Sequence, residues 1–111
     1  MVSDPQARFG LSPATIEKLR GVFARHARVR QVILYGSRAK GNYRPGSDID
    51  LTVRGEGMSL SDLLRIANEI DDLLLPYKVD LSLLDHIENS NLRDHIRRVG
   101  KVFYSTECLV E

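Results

Sequence analysis

Residues 32–53 read VILYGSRAKGNYRPGSDIDLTV, two extended segments around a turn-rich connection. Val32, Ile33, Leu34 and Tyr35 form a short apolar run ended by Gly36, the pattern of a buried strand. Gly41, Asn42, Pro45 and Gly46 mark a loop. Asp48-Ile49-Asp50-Leu51-Thr52-Val53 then alternates with period two. Such a strand buries Ile49, Leu51 and Val53 on one face and sets Asp48 and Asp50 side by side on the other. Val79-Asp80-Leu81-Ser82-Leu83 repeats the alternation, so Asp80 stands opposite the buried face of a third strand.

Helices surround these strands. Ser12 followed by Pro13 supplies an N-cap hydroxyl and a proline at the first helical position. Ile16, Leu19, Val22 and Phe23 then share one face of a helix expected to reach about His26. Ser59 and Asp62 have capping-box spacing, and Leu63, Leu64, Ile66, Ala67, Ile70, Leu73 and Leu74 recur at helical spacing until Pro76. Leu92, Ile96 and Val99 mark a last helix with Gly100 as its C′ residue, and Val102-Phe103-Tyr104 adds a short extended tail. The expected fold is α/β, a small mixed three-stranded sheet flanked by helices in the order α-β-β-α-β-α. It forms a single domain over 1–111, with a loose N-terminal arm over 1–10.

The helix between the second and third strands is a crossover that favours parallel pairing. Parallel neighbours bring the strand starts to one sheet edge, so Asp48, Asp50 and Asp80 converge there. Three uncompensated carboxylates repel one another, and a divalent cation removes that penalty. An all-oxygen donor set suits Mg²⁺ or Mn²⁺, whereas His26, His86 and His95 are scattered and read as structural or surface residues. If the first two strands are antiparallel, the Gly36–Gly41 loop lies over the same edge. Gly36 and Ser37 offer backbone N–H groups and a hydroxyl for phosphate, and Arg38, Lys40 and Arg44 bring positive charge. Ser47, beside Asp48, completes the candidate phosphate-binding set. Such a cradle next to a cation-binding carboxylate cluster meets the needs of a nucleoside triphosphate.

Composition narrows the classes. Sixteen Lys and Arg against fifteen Asp and Glu give a formal charge of +1, so no general nucleic-acid or membrane-surface role follows. The balance is uneven: residues 1–30 hold six basic and two acidic residues, and 58–111 hold six and ten. No apolar run nears the roughly 20 residues needed to span a bilayer, and the N-terminus lacks a secretory pattern. Cys108 is the only cysteine, so no internal disulfide can form, and a reducing cytoplasm is the expected setting. Tyr35 reads as core, and Tyr43, in the phosphate loop, reads either as a stacking partner for a base or as a plain exposed loop residue.

The stretch GSRAKGNYRPGSDIDL, residues 36–51, followed by VDLS at 79–82, resembles the signature of the minimal nucleotidyltransferase family, within the DNA polymerase β-like nucleotidyltransferase superfamily. All three acids of that pattern are present. The resemblance implies transfer of a nucleoside monophosphate, AMP from ATP, to a hydroxyl with release of pyrophosphate. It also implies two Mg²⁺ ions on Asp48, Asp50 and Asp80, with Asp80 helping to take the acceptor's proton. Gly36, Ser37 and the basic loop residues would hold the phosphates. Members resembling this chain are commonly paired with a small helical HEPN-domain protein, a ribonuclease toxin for which the nucleotidyltransferase acts as antitoxin. A small acceptor such as an aminoglycoside would require a homo-oligomer to build its pocket, and a module neutralising its partner by contact is the non-enzymatic alternative. Polymerisation needs template-binding elements, so nucleic acid is not expected as a direct substrate.

Overall fold

The computed structural model describes residues 9–44 and 46–106. The elements follow as α1 Pro13–Ala24, β1 Val29–Tyr35, α2 Ser37–Lys40, β2 Ile49–Gly55, α3 Leu60–Asp71 and β3 Val79–Leu83. A 3₁₀ turn, Leu84–His86, leads to α4 Ser90–Val99 and β4 Lys101–Ser105. The strands form one mixed sheet in the order β3-β2-β1-β4. β1 pairs antiparallel with β2 and with β4, while β2 and β3 run parallel, as the α3 crossover requires.

Local chemistry sets the helix ends. Ser12 Oγ accepts from the Thr15 N–H at 3.2 Å, and Pro13 opens α1. The helix stops at Ala24, short of His26, because Arg25 and His26 turn back to Val22 and Phe23 through i→i−3 bonds of 3.1 Å. At α3 the capping box closes in both directions: Asp62 N–H donates to Ser59 Oγ at 3.3 Å, and Ser59 N–H donates to Asp62 Oδ2 at 2.9 Å. That backbone bond holds the Asp62 carboxyl below its ordinary 3.8. α3 ends at Asp71 rather than running to Pro76, since Leu74 takes a left-handed φ of 54°.

α1 and α3 cover one face of the sheet. Leu19, Val22 and Phe23 meet Ile66 and Ile70 over Val32, Leu34, Ile49 and Leu51. α4 lies on the other face and brings Ile96 and His95 toward Ile33 and Tyr35 of β1. That second face carries the acids.

The sheet has four strands, not the three expected. Val102-Phe103-Tyr104 is extended as expected, but it is the centre of a paired strand and not a tail: β4 pairs with the second edge of β1 from Gln31↔Ser105 to Leu34↔Lys101. A three-residue apolar run is too short to announce a strand, but β1 would otherwise present an open edge. Phe103 is almost fully buried and meets Phe23 edge-on at 6.5 Å. Arg20 Nε donates to the Phe103 carbonyl at 2.9 Å. Gly100 differs too: its φ of −62° and ψ of 144° are extended, so it is no left-handed C′ residue. A β-carbon there would strike the Ile96 carbonyl and Ile33 Cγ2, so the position needs glycine for close approach. Of the arm expected over 1–10, residues 1–8 lie outside the described residues, as does Cys108. Phe9 stacks 6.4 Å from Phe103.

Candidate active site

β2 and β3 pair in register, which sets Asp50 directly beside Asp80, and β1 sets Tyr35 directly beside Asp50. Tyr35, Asp50 and Asp80 therefore form one row across three strands. Asp48 lies two residues ahead of Asp50, just before β2, and is exposed like Asp80. Among the described residues none of the three acids makes a hydrogen bond or ion pair. Asp50 is half-buried, and its carboxyl titrates above the ordinary 3.8. Burial is the main cause, the Asp80 and Asp48 charges add to it, and His95 pulls the other way.

Among the described residues no three His, Cys, Asp or Glu side chains are closed into a ready-made metal cage. Mutual repulsion explains why exposed carboxylates do not close up without a cation. The donors still fit a hard divalent ion: they are all oxygen, they are unpartnered, and Asp50 carries an uncompensated electrostatic cost.

The loop after β1 lies over this row. Gly36 has φ 79° and ψ −158°, a region essentially closed to side chains. A β-carbon on Gly36 would run into the Asp50 carboxylate, so the loop backbone passes against the acid. Residues 37–40, expected as loop, wind into the single turn α2, which Gly41 ends with φ 89°. The opening N–H groups of such a turn have no carbonyl within it. Ser37, Lys40 and Arg44 make no side-chain hydrogen bond or ion pair among the described residues, and the two basic side chains are exposed.

The remaining two loop residues are placed differently. Ser47 Oγ accepts from the Arg44 N–H at 2.8 Å and so braces the loop. Arg38 is 2% exposed. Its Nε and Nη2 donate to the Ser47 carbonyl at 3.2 and 3.0 Å, and Nη1 donates to the Phe9 carbonyl at 2.8 Å. The guanidinium also lies 5.1 Å from the Tyr43 ring and 5.0 Å from the Tyr77 ring. Arg38 thus fastens the loop to the body instead of facing a phosphate. Arg38→Met keeps the volume but leaves two carbonyls without their donor. It is expected to lower stability by about 2–4 kcal/mol, read from the urea midpoint. An unchanged midpoint would show that the clamp contributes nothing.

Two residues of the site escape the motif reading. His95 Nε2 accepts from the Gly36 N–H at 3.3 Å, and its ring meets Tyr35 edge-on at 6.3 Å. Its signal was helical: His95 lies three residues after Leu92 and four before Val99, on the buried face of α4. Tyr35 is buried as expected, yet it belongs to the acid row. Burial raises its phenol above 10.0, the Ser82 hydroxyl opposes that, and the Asp50 and Asp80 charges add to it. Of the other histidines, His26 pairs with Glu69 at 3.0 Å and His86 is exposed, neither near the row.

Residues 17–108 match the family model described as polymerase beta, nucleotidyltransferase. Sequence comparison with curated proteins finds no significant match. Among solved structures, one described as a candidate minimal nucleotidyltransferase is 29% identical, with a TM-score of 0.65 over 85% of this chain and 94% of its own. A toxin–antitoxin structure with AMP-PNP gives TM-score 0.67 at 21% identity, covering 83% of this chain and 74% of that one. A tri-AMPylated Shewanella oneidensis HEPN toxin in complex with its MNT antitoxin gives 0.63 at 19% identity, over 85% and 72%. At such identities the last two speak for the fold alone. With the family model spanning most of the sequence, and with the acid row and glycine loop on the sheet edge, the chain belongs to the polymerase beta nucleotidyltransferase family.

Proposed function

We propose that the chain transfers AMP from ATP to a hydroxyl of a HEPN-domain partner protein and thereby serves as its antitoxin. The observation that carries this reading is the in-register pair Asp50 and Asp80, with the backbone of Gly36 held against Asp50. The solved complexes with AMP-PNP and with an AMPylated HEPN toxin support the choice of donor and acceptor.

Two Mg²⁺ or Mn²⁺ ions on Asp48, Asp50 and Asp80 would supply charge neutralisation at the triphosphate and at the attacking oxygen. The protein's own residues do the positioning. Gly36 lets the chain approach the phosphates without a side chain in the way, and Ser37 offers its hydroxyl and N–H to them. Lys40 and Arg44 offset charge on the departing pyrophosphate. The acceptor oxygen bonds to the α-phosphorus, the bond from that phosphorus to the β-bridging oxygen breaks, and pyrophosphate leaves with the electron pair. Asp80, exposed and unpartnered among the described residues, takes the acceptor's proton.

A cytoplasmic setting suits ATP as donor. No helix of the described residues is long and apolar enough to cross a membrane. The test is the intact mass of a HEPN-domain partner co-expressed with this chain. The expected result is one or more added adenylyl groups on hydroxyl side chains. A partner that stays unmodified, yet is neutralised equally by the Asp48→Asn/Asp50→Asn protein, would replace catalysis by contact.

A further inference from the structure

The face that carries the acids also carries a cleft that the transfer chemistry does not use. It has a volume of about 380 Å³ and lies between α4 and the sheet. Its floor is aliphatic: Ile33 of β1, Leu84, Ile96 of α4 and Val102 of β4. Val102, on the edge strand β4, is 48% exposed and continues this apolar floor to the surface. Arg54, Arg93 and Arg97 stand around this floor, and among the described residues no carboxylate lines it.

The charge is local. Residues 58–111 are net acidic, yet residues 93–101 hold Arg93, Arg97, Arg98 and Lys101 against Asp94 alone. Arg93 is part of the frame, since its Nη1 donates to the Leu84 and Ile87 carbonyls at 2.9 and 3.0 Å. Arg97 meets Asp94 at 3.2 Å but keeps three quarters of its side chain in water. The cleft and the acid row share a track along β1: Gln31 and Ile33 line the cleft, and Tyr35 lies in the row. Gln31 and Tyr35 are four residue steps apart along the strand, about 13 Å.

We infer that this cleft docks an acidic, aliphatic segment of the protein acceptor, an amphipathic helix with carboxylates flanking a leucine-like stripe. An apolar floor rewards buried aliphatic side chains, and a rim on which arginines outnumber the one neighbouring acid, Asp94, rewards carboxylates. A nucleic acid fits less well, because among the described residues no aromatic ring lines the cleft to stack a base. The role as acceptor dock rests on the transfer reading. The binding itself does not, and it needs neither ATP nor metal.

The test uses a fluorescein-labelled helical peptide with glutamates flanking a leucine stripe, its lysine-for-glutamate counterpart, and a twelve-nucleotide uridine RNA. Anisotropy reads affinity, and methyl NMR reads the site. The acidic peptide is expected to bind the wild-type chain and shift the methyls of Ile33, Ile96 and Val102. Arg54→Glu/Arg97→Glu should weaken it about tenfold or more. Arg97→Glu alone, at a largely exposed side chain, should weaken it in the same direction without threatening the fold. The lysine peptide should not bind. No binding of the acidic peptide, equal binding by the folded variants, equal binding of the lysine peptide, or tighter binding of the RNA at the same methyls would each overturn the inference. Loss of AMP transfer with peptide binding intact would strike the proposed reaction and leave the cleft standing.

Discussion

Asp48→Asn/Asp50→Asn is expected to lose nucleotidyl transfer by about 10³-fold or more while keeping its fold. The substitution keeps shape and removes both charges, leaving Asp80 as the one carboxylate of the three. In the folded chain Asp50 titrates above 3.8, its ordinary value when unfolded. Between those two values the folded state holds more proton than the unfolded state. Stability therefore falls as pH rises through that window and stays lower at neutral pH. The asparagine protein escapes this cost. Its melting temperature without added metal should exceed that of wild type at pH 7, and the gap should close as pH falls toward 3.8. Added Mg²⁺ should raise the melting temperature of wild type and leave the variant unmoved. A variant less stable than wild type at pH 7 without metal would mean that the acids support the fold in some other way.

Gly36→Ala carries the second large effect. The backbone there occupies a conformation that costs a side-chain-bearing residue about 1–3 kcal/mol. The new methyl would also meet the Asp50 carboxylate, so relief requires moving either the loop or the acid. A displacement of about 1 Å at a reacting centre costs on the order of 10²-fold. Transfer should fall by at least that factor, with a smaller loss of stability measured by urea unfolding. Full activity in Gly36→Ala would show that the loop does not lie against the acid during turnover.

The acid row was legible because strand alternation is strict. Once Ile49, Leu51 and Val53 face inward, Asp48 and Asp50 have one place to go, and the helix before Asp80 imposes parallel pairing. The expected glycine turn beside the row followed from the antiparallel pairing of β1 and β2. Arg38 was not legible. An arginine in a basic, glycine-rich loop looks like a phosphate ligand, and only the approach of Phe9 and Ser47 reveals that its donors are already committed. His95 was hidden for a related reason: its partner Gly36 is 59 residues away in sequence. β4 was missed because its Val102-Phe103-Tyr104 centre gains meaning only from the open edge of β1. Local pattern fixes faces, and long-range pairing decides which polar groups are free.

The most direct measurement is label transfer from ATP with Mg²⁺, run once with the α-phosphate radioactive and once with the γ-phosphate. Wild type and Asp48→Asn/Asp50→Asn are each incubated with the partner protein. The expected result is α-label on the partner with wild type, no γ-label, and neither label with the variant. Transfer of γ-label, or α-label of equal intensity with the variant, would contradict nucleotidyl transfer by this acid row.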